Sequence, residues 1–219
     1  MTGLTLALDA STYTGTVAVV DGGTVLAERA VAMRGAHEER LMPAVAEALA
    51  AAGVTPAGLA RVVCGAGPGS FTSLRIAASI AKGIAAASSV PLFAVPSLAL
   101  IAAGNDLPAG RWLAVLDAMR GEAYAAGYAT GGGTVTEIAP FALVAREAVE
   151  PMAQALGARL AGPAETTAAG PHARGVARLA DWLADAEPVD LASWEPRYGR
   201  VAEAQARWER EHGRPLDAR

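Results

Sequence analysis

The sequence predicts an α/β protein of two similar lobes, each a mixed five-stranded sheet carrying helices. Three observations predict it. Short apolar and β-branched runs alternate with longer periodic segments, the pattern of strands joined by helices. Each half opens in the same way, with a strand ending in Asp and then two strands around a glycine turn. The openings also share short identities in the same order: Leu8-Asp9-Ala10 with Leu116-Asp117-Ala118, and Gly22-Gly23-Thr24-Val25 with Gly132-Gly133-Thr134-Val135. Ordered matches in one strand–turn–strand context point to an internal duplication.

Leu4 to Leu8 reads as the first strand, ending at Asp9, and Thr16 to Val20 as the second. Asp21-Gly22-Gly23 is a turn signal that leads into a third strand, Thr24 to Val31. A helix is expected from about His37 to Ala52, with Leu41, Val45, Ala48, Leu49 and Ala52 in one stripe and Gly53 closing it. Arg61 to Cys64 is a short strand, Phe71 to Ser88 a second helix, Leu92 to Val95 a fifth strand and Ser97 to Ala103 a short helix. Gly104-Asn105-Asp106-Leu107-Pro108-Ala109-Gly110 is a linker, dividing an N-terminal lobe, 1–104, from a C-terminal lobe, 105–199. The second lobe begins with strands Trp112 to Leu116, Glu122 to Tyr128 and Thr134 to Ala139. Periodic segments follow at Val144 to Leu156 and His172 to Ala186. A helical tail within 200–219 is expected to join the first lobe.

Composition narrows the function classes. Of 219 residues, 53% are hydrophobic and mean hydropathy is +0.29, enough for well-buried cores. Net charge is −4 and Lys82 is the single lysine, so a basic nucleic-acid-binding face is not expected. The lone Cys64 ends an apolar run and reads as a buried, inert thiol. No basic and then apolar leader opens the chain, and the apolar stretch Ile76 to Leu100 is broken by Lys82, Gly83, Pro91 and Pro96. A cytoplasmic protein without a membrane span is expected.

The junction Gly65-Ala66-Gly67-Pro68-Gly69-Ser70-Phe71-Thr72 joins a strand to a helix, where backbone N–H groups can hold an anion and hydroxyls can cap the helix. Asp9, Gly67, Gly69 and Ser70 form a candidate weak nucleotide or anion loop. It lacks the Gly-Lys-Ser/Thr ending of a phosphate-binding loop and the third glycine of a dinucleotide fingerprint. Asp9 and Asp117 each have two readings, a metal- or water-holding carboxylate or a turn former bonded to local backbone. His37, His172 and His212 lack the spacing of metal ligands and read as surface residues. The second helix is apolar on two faces: Leu74, Ala78, Ala81 and Ala85 on one, and Ile76, Ile80 and Ile84 with Ala77 on another. A sheet covers one face only, so the other is expected to meet either a partner chain, which this reading favours, or another part of the same chain.

At these residues the sequence resembles the TsaB (YeaZ) family. The match runs through Leu6-Ala7-Leu8-Asp9-Ala10-Ser11-Thr12, His37-Glu38-Glu39-Arg40-Leu41-Met42-Pro43, Gly67-Pro68-Gly69-Ser70-Phe71-Thr72-Ser73-Leu74-Arg75-Ile76, Ala81-Lys82-Gly83, Asp117-Ala118-Met119-Arg120-Gly121-Glu122-Ala123-Tyr124 and Pro196-Arg197-Tyr198-Gly199-Arg200. Ser73 and Ala77 stand where the family usually has glycine. The resemblance implies the two-lobed actin-like ATPase (ASKHA, ribonuclease H-like) fold. It implies a non-catalytic subunit that supports TsaD as it transfers threonylcarbamoyl to N6 of adenosine 37 in tRNAs reading ANN codons. TsaE joins that complex, tRNA is reached through it, and a homodimer is expected when TsaD is absent. No catalytic residue, no metal and no cofactor of its own are expected, though a nucleotide could sit at the partner interface. The implied interface residues are His37, Glu38, Leu41, Ala77, Ile80, Ala81 and Ile84. The rival reading is a stand-alone actin-fold ATPase or phosphotransferase.

Overall fold

The computed structural model describes residues 3–34, 39–199 and 212–213. His37, Glu38 and the expected tail helix therefore lie outside the described residues, apart from His212 and Gly213.

The first lobe is built from β1 (Leu4–Asp9), β2 (Thr14–Asp21), β3 (Thr24–Ala32), α1 (Leu41–Ala52), β4 (Arg61–Gly65), α2 (Phe71–Ser88) and β5 (Leu92–Val95). α3 (Ser97–Gly104) leads across to β6 (Gly110–Asp117), β7 (Glu122–Gly131), β8 (Thr134–Ala145), α4 (Val149–Leu156), β9 (Arg159–Gly162), β10 (Thr167–Ala168) and α5 (Ala180–Asp185). The sheets run β3-β2-β1-β4-β5 and β10-β9-β6-β7-β8. In each, the leading strand pairs antiparallel with the next strand and parallel with a strand reached through a helix. Read from opposite ends the two orders coincide, so the duplication expected from the sequence is present in the topology.

Alternation along β1 and β6 divides the interior. Leu6 and Leu8 face a core closed by α1 and α2, while Ala7 faces the opposite way. Leu113 and Val115 face α4, while Trp112, Ala114 and Leu116 face the other side. The inward faces of both sheets meet around α3, whose eight residues are all buried. A helix that is apolar all round is stable only when covered all round, and here both lobes cover it.

β9 and β10 and the 3-10 turn Ala173–Arg178 were not distinguished in the sequence. The periodicity from Val144 to Leu156 divides between the end of β8 and α4, and α1 begins at Leu41, four residues later than expected.

One flank of α2 is covered from within the chain. Val189, Leu191 and Trp194 pack against the same core as α2. Val189 N donates to Leu92 O at 2.8 Å, the Lys82 ammonium lies 5.7 Å from the Trp194 ring, and Arg75 pairs with Glu195 at 3.7 Å. A stretch of the chain's own C-terminal segment thus straps the Arg75–Lys82 flank of α2, while Ile80 and Ile84 stay half-buried.

Candidate functional site

β1 ends by delivering Asp9 to a fully enclosed position, with 0% exposure. Its Oδ1 accepts from Ser11 N at 2.9 Å and Ser11 Oγ at 2.7 Å, and its Oδ2 accepts from Ser97 Oγ. Ser97 Oγ in turn accepts from Gly67 N at 3.0 Å, and Ser97 N donates to Gly67 O at 2.9 Å. Burial raises the Asp9 pKa above its ordinary value, against the opposing pull of the serine hydrogen bonds. A Cβ at Gly65 would sit 1.9 Å from Asp9 Oδ2, so glycine is what lets the strand pass the carboxyl. Asp9 thus clamps β1, the glycine loop and α3 together, and its bond from Ser11 N matches the turn-forming reading.

The glycine loop is likewise tied to its own chain. Ala66 N donates to Val95 O at 2.7 Å, Gly67 N to Ser97 Oγ, and Ser70 N to Ser11 O at 2.7 Å. Gly67-Pro68 is a cis peptide. Gly69 has φ 157°, and a Cβ there would lie 2.0 Å from Ser11 O. Of the candidate anion loop Gly67, Gly69 and Ser70, the N–H groups of Gly67 and Ser70 already have acceptors within the chain. Ser70 occupies the N-cap of α2 without a side-chain capping bond, and its Oγ meets Ser73 Oγ at 3.0 Å. The hydroxyl at the first family-glycine position is thus accommodated, and Ala77 fills the second at 0% exposure.

Asp117 differs from its counterpart. It is exposed and accepts from Met119 N at 2.7 Å, a turn-forming role. It lines a cleft of about 950 Å³ between the lobes, with Tyr13, Ser70 and Phe71 on one wall and Arg146 and Glu165 on the other. Arg146 Nη2 donates to Glu165 Oε2 at 3.0 Å, beside a second bond from Nη1 to Oε1, a two-pronged fork. Tyr198, at the end of the strap, closes the cleft: its ring lies 4.4 Å from Phe71, and Tyr124 Oη donates to Tyr198 O at 3.3 Å. Arg197 N donates to Ala66 O at 2.7 Å, joining strap to glycine loop.

Cys64 is buried and its thiol pKa is pushed far up, first by burial and then by nearby Asp9, as expected of an inert cysteine. His172 is half-buried rather than on the surface; its Nδ1 accepts from Arg174 N at 3.3 Å, and burial lowers its pKa. Among the described residues, no group of three His, Cys, Asp or Glu converges to hold a metal, and no helix is long and apolar enough to cross a membrane.

The expected interface residues separate into two sets. Leu41, Ala77 and Ala81 are at 0% exposure inside the α1–α2 core, so they offer no surface. Ile80 and Ile84 are half-buried, and Met42 on α1 is exposed. Sequence reasoning missed Ser97, the Arg146–Glu165 fork and the strap. No periodicity in the sequence signalled the strap.

A family model described as TsaD, tRNA N6-adenosine threonylcarbamoyltransferase, matches residues 25–177. The tRNA threonylcarbamoyladenosine biosynthesis protein TsaB of Bacillus subtilis (strain 168) is 35% identical over 62% of this chain and 59% of its own length. The Escherichia coli (strain K12) protein of the same name is 37% identical over 56% of this chain and 54% of its own. The chain thus spans little more than half the length of these curated relatives. A crystal structure from Pseudomonas aeruginosa, described as similar to peptidase YeaZ, superposes with a TM-score of 0.77 at 30% identity, covering 91% of this chain and 100% of that one. A second structure, YeaZ from Pseudomonas aeruginosa, gives 0.75 at 29% identity, covering 90% and 100%.

Proposed function

The chain belongs to the TsaB (YeaZ) family, with its two-lobed actin-like ATPase fold, and on that premise we propose that it is a non-catalytic partner of TsaD in tRNA modification. It supports transfer of threonylcarbamoyl to N6 of adenosine 37 in tRNAs reading ANN codons. TsaE joins the same complex, tRNA is reached through it, and a nucleotide sits at the partner interface. The compartment is the cytoplasm, and a homodimer forms where TsaD is absent.

The observation that carries the reading is the closed state of Asp9 and its loop. An ATPase acting alone needs an accessible carboxylate for metal or water and free donors for phosphate. Asp9 is sealed by three hydrogen bonds, and Lys82 lies beside Trp194. Docking falls to the outer surface of α1 and α2, where Met42, Ile80 and Ile84 retain exposure, with His37 and Glu38 as further expected contacts. Leu41, Ala77 and Ala81 shape that surface from beneath.

Reconstitution tests this. TsaD, TsaE, the adenylate-forming enzyme and tRNA should yield modified tRNA only when this chain is added, and the chain alone should not turn over ATP. Ile84→Arg should abolish co-purification with TsaD while leaving the melting temperature nearly unchanged. Equal modification without the chain, or full TsaD binding by Ile84→Arg, would overturn the proposal.

A further inference from the structure

We propose that a second cavity, beside β3, binds a small zwitterion with an apolar side chain, an α-amino acid of the leucine class. The cavity is about 490 Å³, within the roughly 300–1,000 Å³ range of small-molecule sites. It opens where the β2–β3 turn, the end of α3 and the 3-10 turn Ala173–Arg178 meet, and it shares no lining residue with the cleft between the lobes. Thr16 pairs with Asp9 and Asp21 with Leu4, so the β2–β3 turn lies at the far end of β1 from that cleft.

The chain itself fixes the walls. Arg174 Nε donates to Gly104 O at 2.6 Å and Arg178 Nη1 to Asn105 O at 3.1 Å, so backbone carbonyls hold both guanidinium groups in place. Gly175 seats the turn that carries them, since a Cβ there would lie 2.7 Å from Gly104 N. On β3, Val25 pairs with Val20 and Ala27 with Val19, which leaves Leu26 as the extra residue of a β-bulge. A bulge re-aims side chains, and here Val25 and Leu26 both line the cavity at 37% and 43% exposure.

Charge selects the ligand. Glu28 and Asp106 balance Arg174 and Arg178, so the lining carries no net formal charge. Arg174 is engaged by Glu28 at 3.2 Å. Arg178 meets Asp106 only at 3.5 Å, and the Asp106 side chain is 92% exposed, so solvent screens that pair and little holds it shut. A simple anion would only replace the Asp106 carboxylate on Arg178, and a simple cation only the guanidinium on Asp106. A zwitterion satisfies both: its carboxylate accepts from Arg178 and its ammonium donates to Asp106, while its side chain lies on Val25 and Leu26. The inference does not rest on docking to TsaD, and its test uses this chain alone.

Calorimetry on the full chain with L-leucine, glycine, leucinamide and N-acetyl-leucine tests it. Leucine should bind saturably. Leucinamide lacks the carboxylate and N-acetyl-leucine the ammonium, and each should bind at least about tenfold more weakly, the scale of one lost charge-assisted hydrogen bond. Glycine, with no side chain to bury, should bind at least about fivefold more weakly, and Leu26→Ser should narrow that gap. Arg178→Gln and Asp106→Asn should each weaken leucine about tenfold with the melting temperature nearly unchanged, because the pair they break is exposed. No saturable leucine binding, leucinamide or N-acetyl-leucine binding as tightly as leucine, or wild-type affinity in folded Arg178→Gln would each overturn the proposal.

Discussion

Of the two aspartates that end the leading strands, Asp9 is sealed and Asp117 is open. The difference lies in their neighbours. Ser97 comes from α3 to meet Asp9, and Gly65 lets β4 pass without a side chain. Burial raises the folded-state pKa of Asp9 above the unfolded value of 3.8, so the folded state favours the protonated form. The resulting stability is present below 3.8 and is lost as pH rises through the raised value. The stability difference between wild type and Asp9→Asn should therefore shrink as pH rises, measured as urea midpoints across that range. Asp9→Ala leaves the Ser11 and Ser97 donors without acceptors, and we expect it to cost about 2–4 kcal/mol in urea unfolding at neutral pH. The turn bond to local backbone was legible in the sequence, but the tie to Ser97 was not. Asp9 and Ser97 are 88 residues apart, and no spacing rule connects them.

At the scale of the element, legibility followed periodicity and punctuation. The bounds of α2 and β5 were read as observed, because Gly and Pro stop the chain beside them and the apolar pattern is dense. β9, with the sequence Arg159-Leu160-Ala161-Gly162, has no β-branched residue to mark it, and β10 has only two residues. The strap has no period at all; it is tied to β5, the glycine loop and the Arg75–Lys82 flank of α2. Its anchor is Trp194, half-buried against the α2 core beside Lys82. Trp194→Ala should lower stability by about 1–3 kcal/mol, less than a fully buried tryptophan would. It should also speed amide hydrogen exchange at Val189 and Arg197, whose N–H groups bond to Leu92 O and Ala66 O. Unchanged exchange at both amides would show that the strap is held by other contacts.

Over the whole molecule, the architecture of two matched sheets was legible, because strand, turn and helix signals recur in order. The shared core was not. The sequence assigned Ser97 to Ala103 to the first lobe, but α3 is buried among residues of both, including Trp112, Leu116 and Tyr124. A fragment of residues 1–104 would expose that face of α3 to water. We expect it to lack cooperative thermal unfolding and to bind a hydrophobic dye, whereas the full chain melts in one transition. A fragment with sharp, cooperative unfolding would show that the lobes are independent.

The strap also has a consequence for synthesis. Ribosomes release a chain from its N-terminus, and early segments begin to fold before later ones exist. Here α2 and the glycine loop are made well before Trp194 and Arg197, which pack beside and pin them. Until those residues emerge, the nascent first lobe lacks the strap beside Arg75 and Lys82. A chain stopped between β10 and Trp194 would leave uncovered the apolar core that Val189, Leu191 and Trp194 pack against.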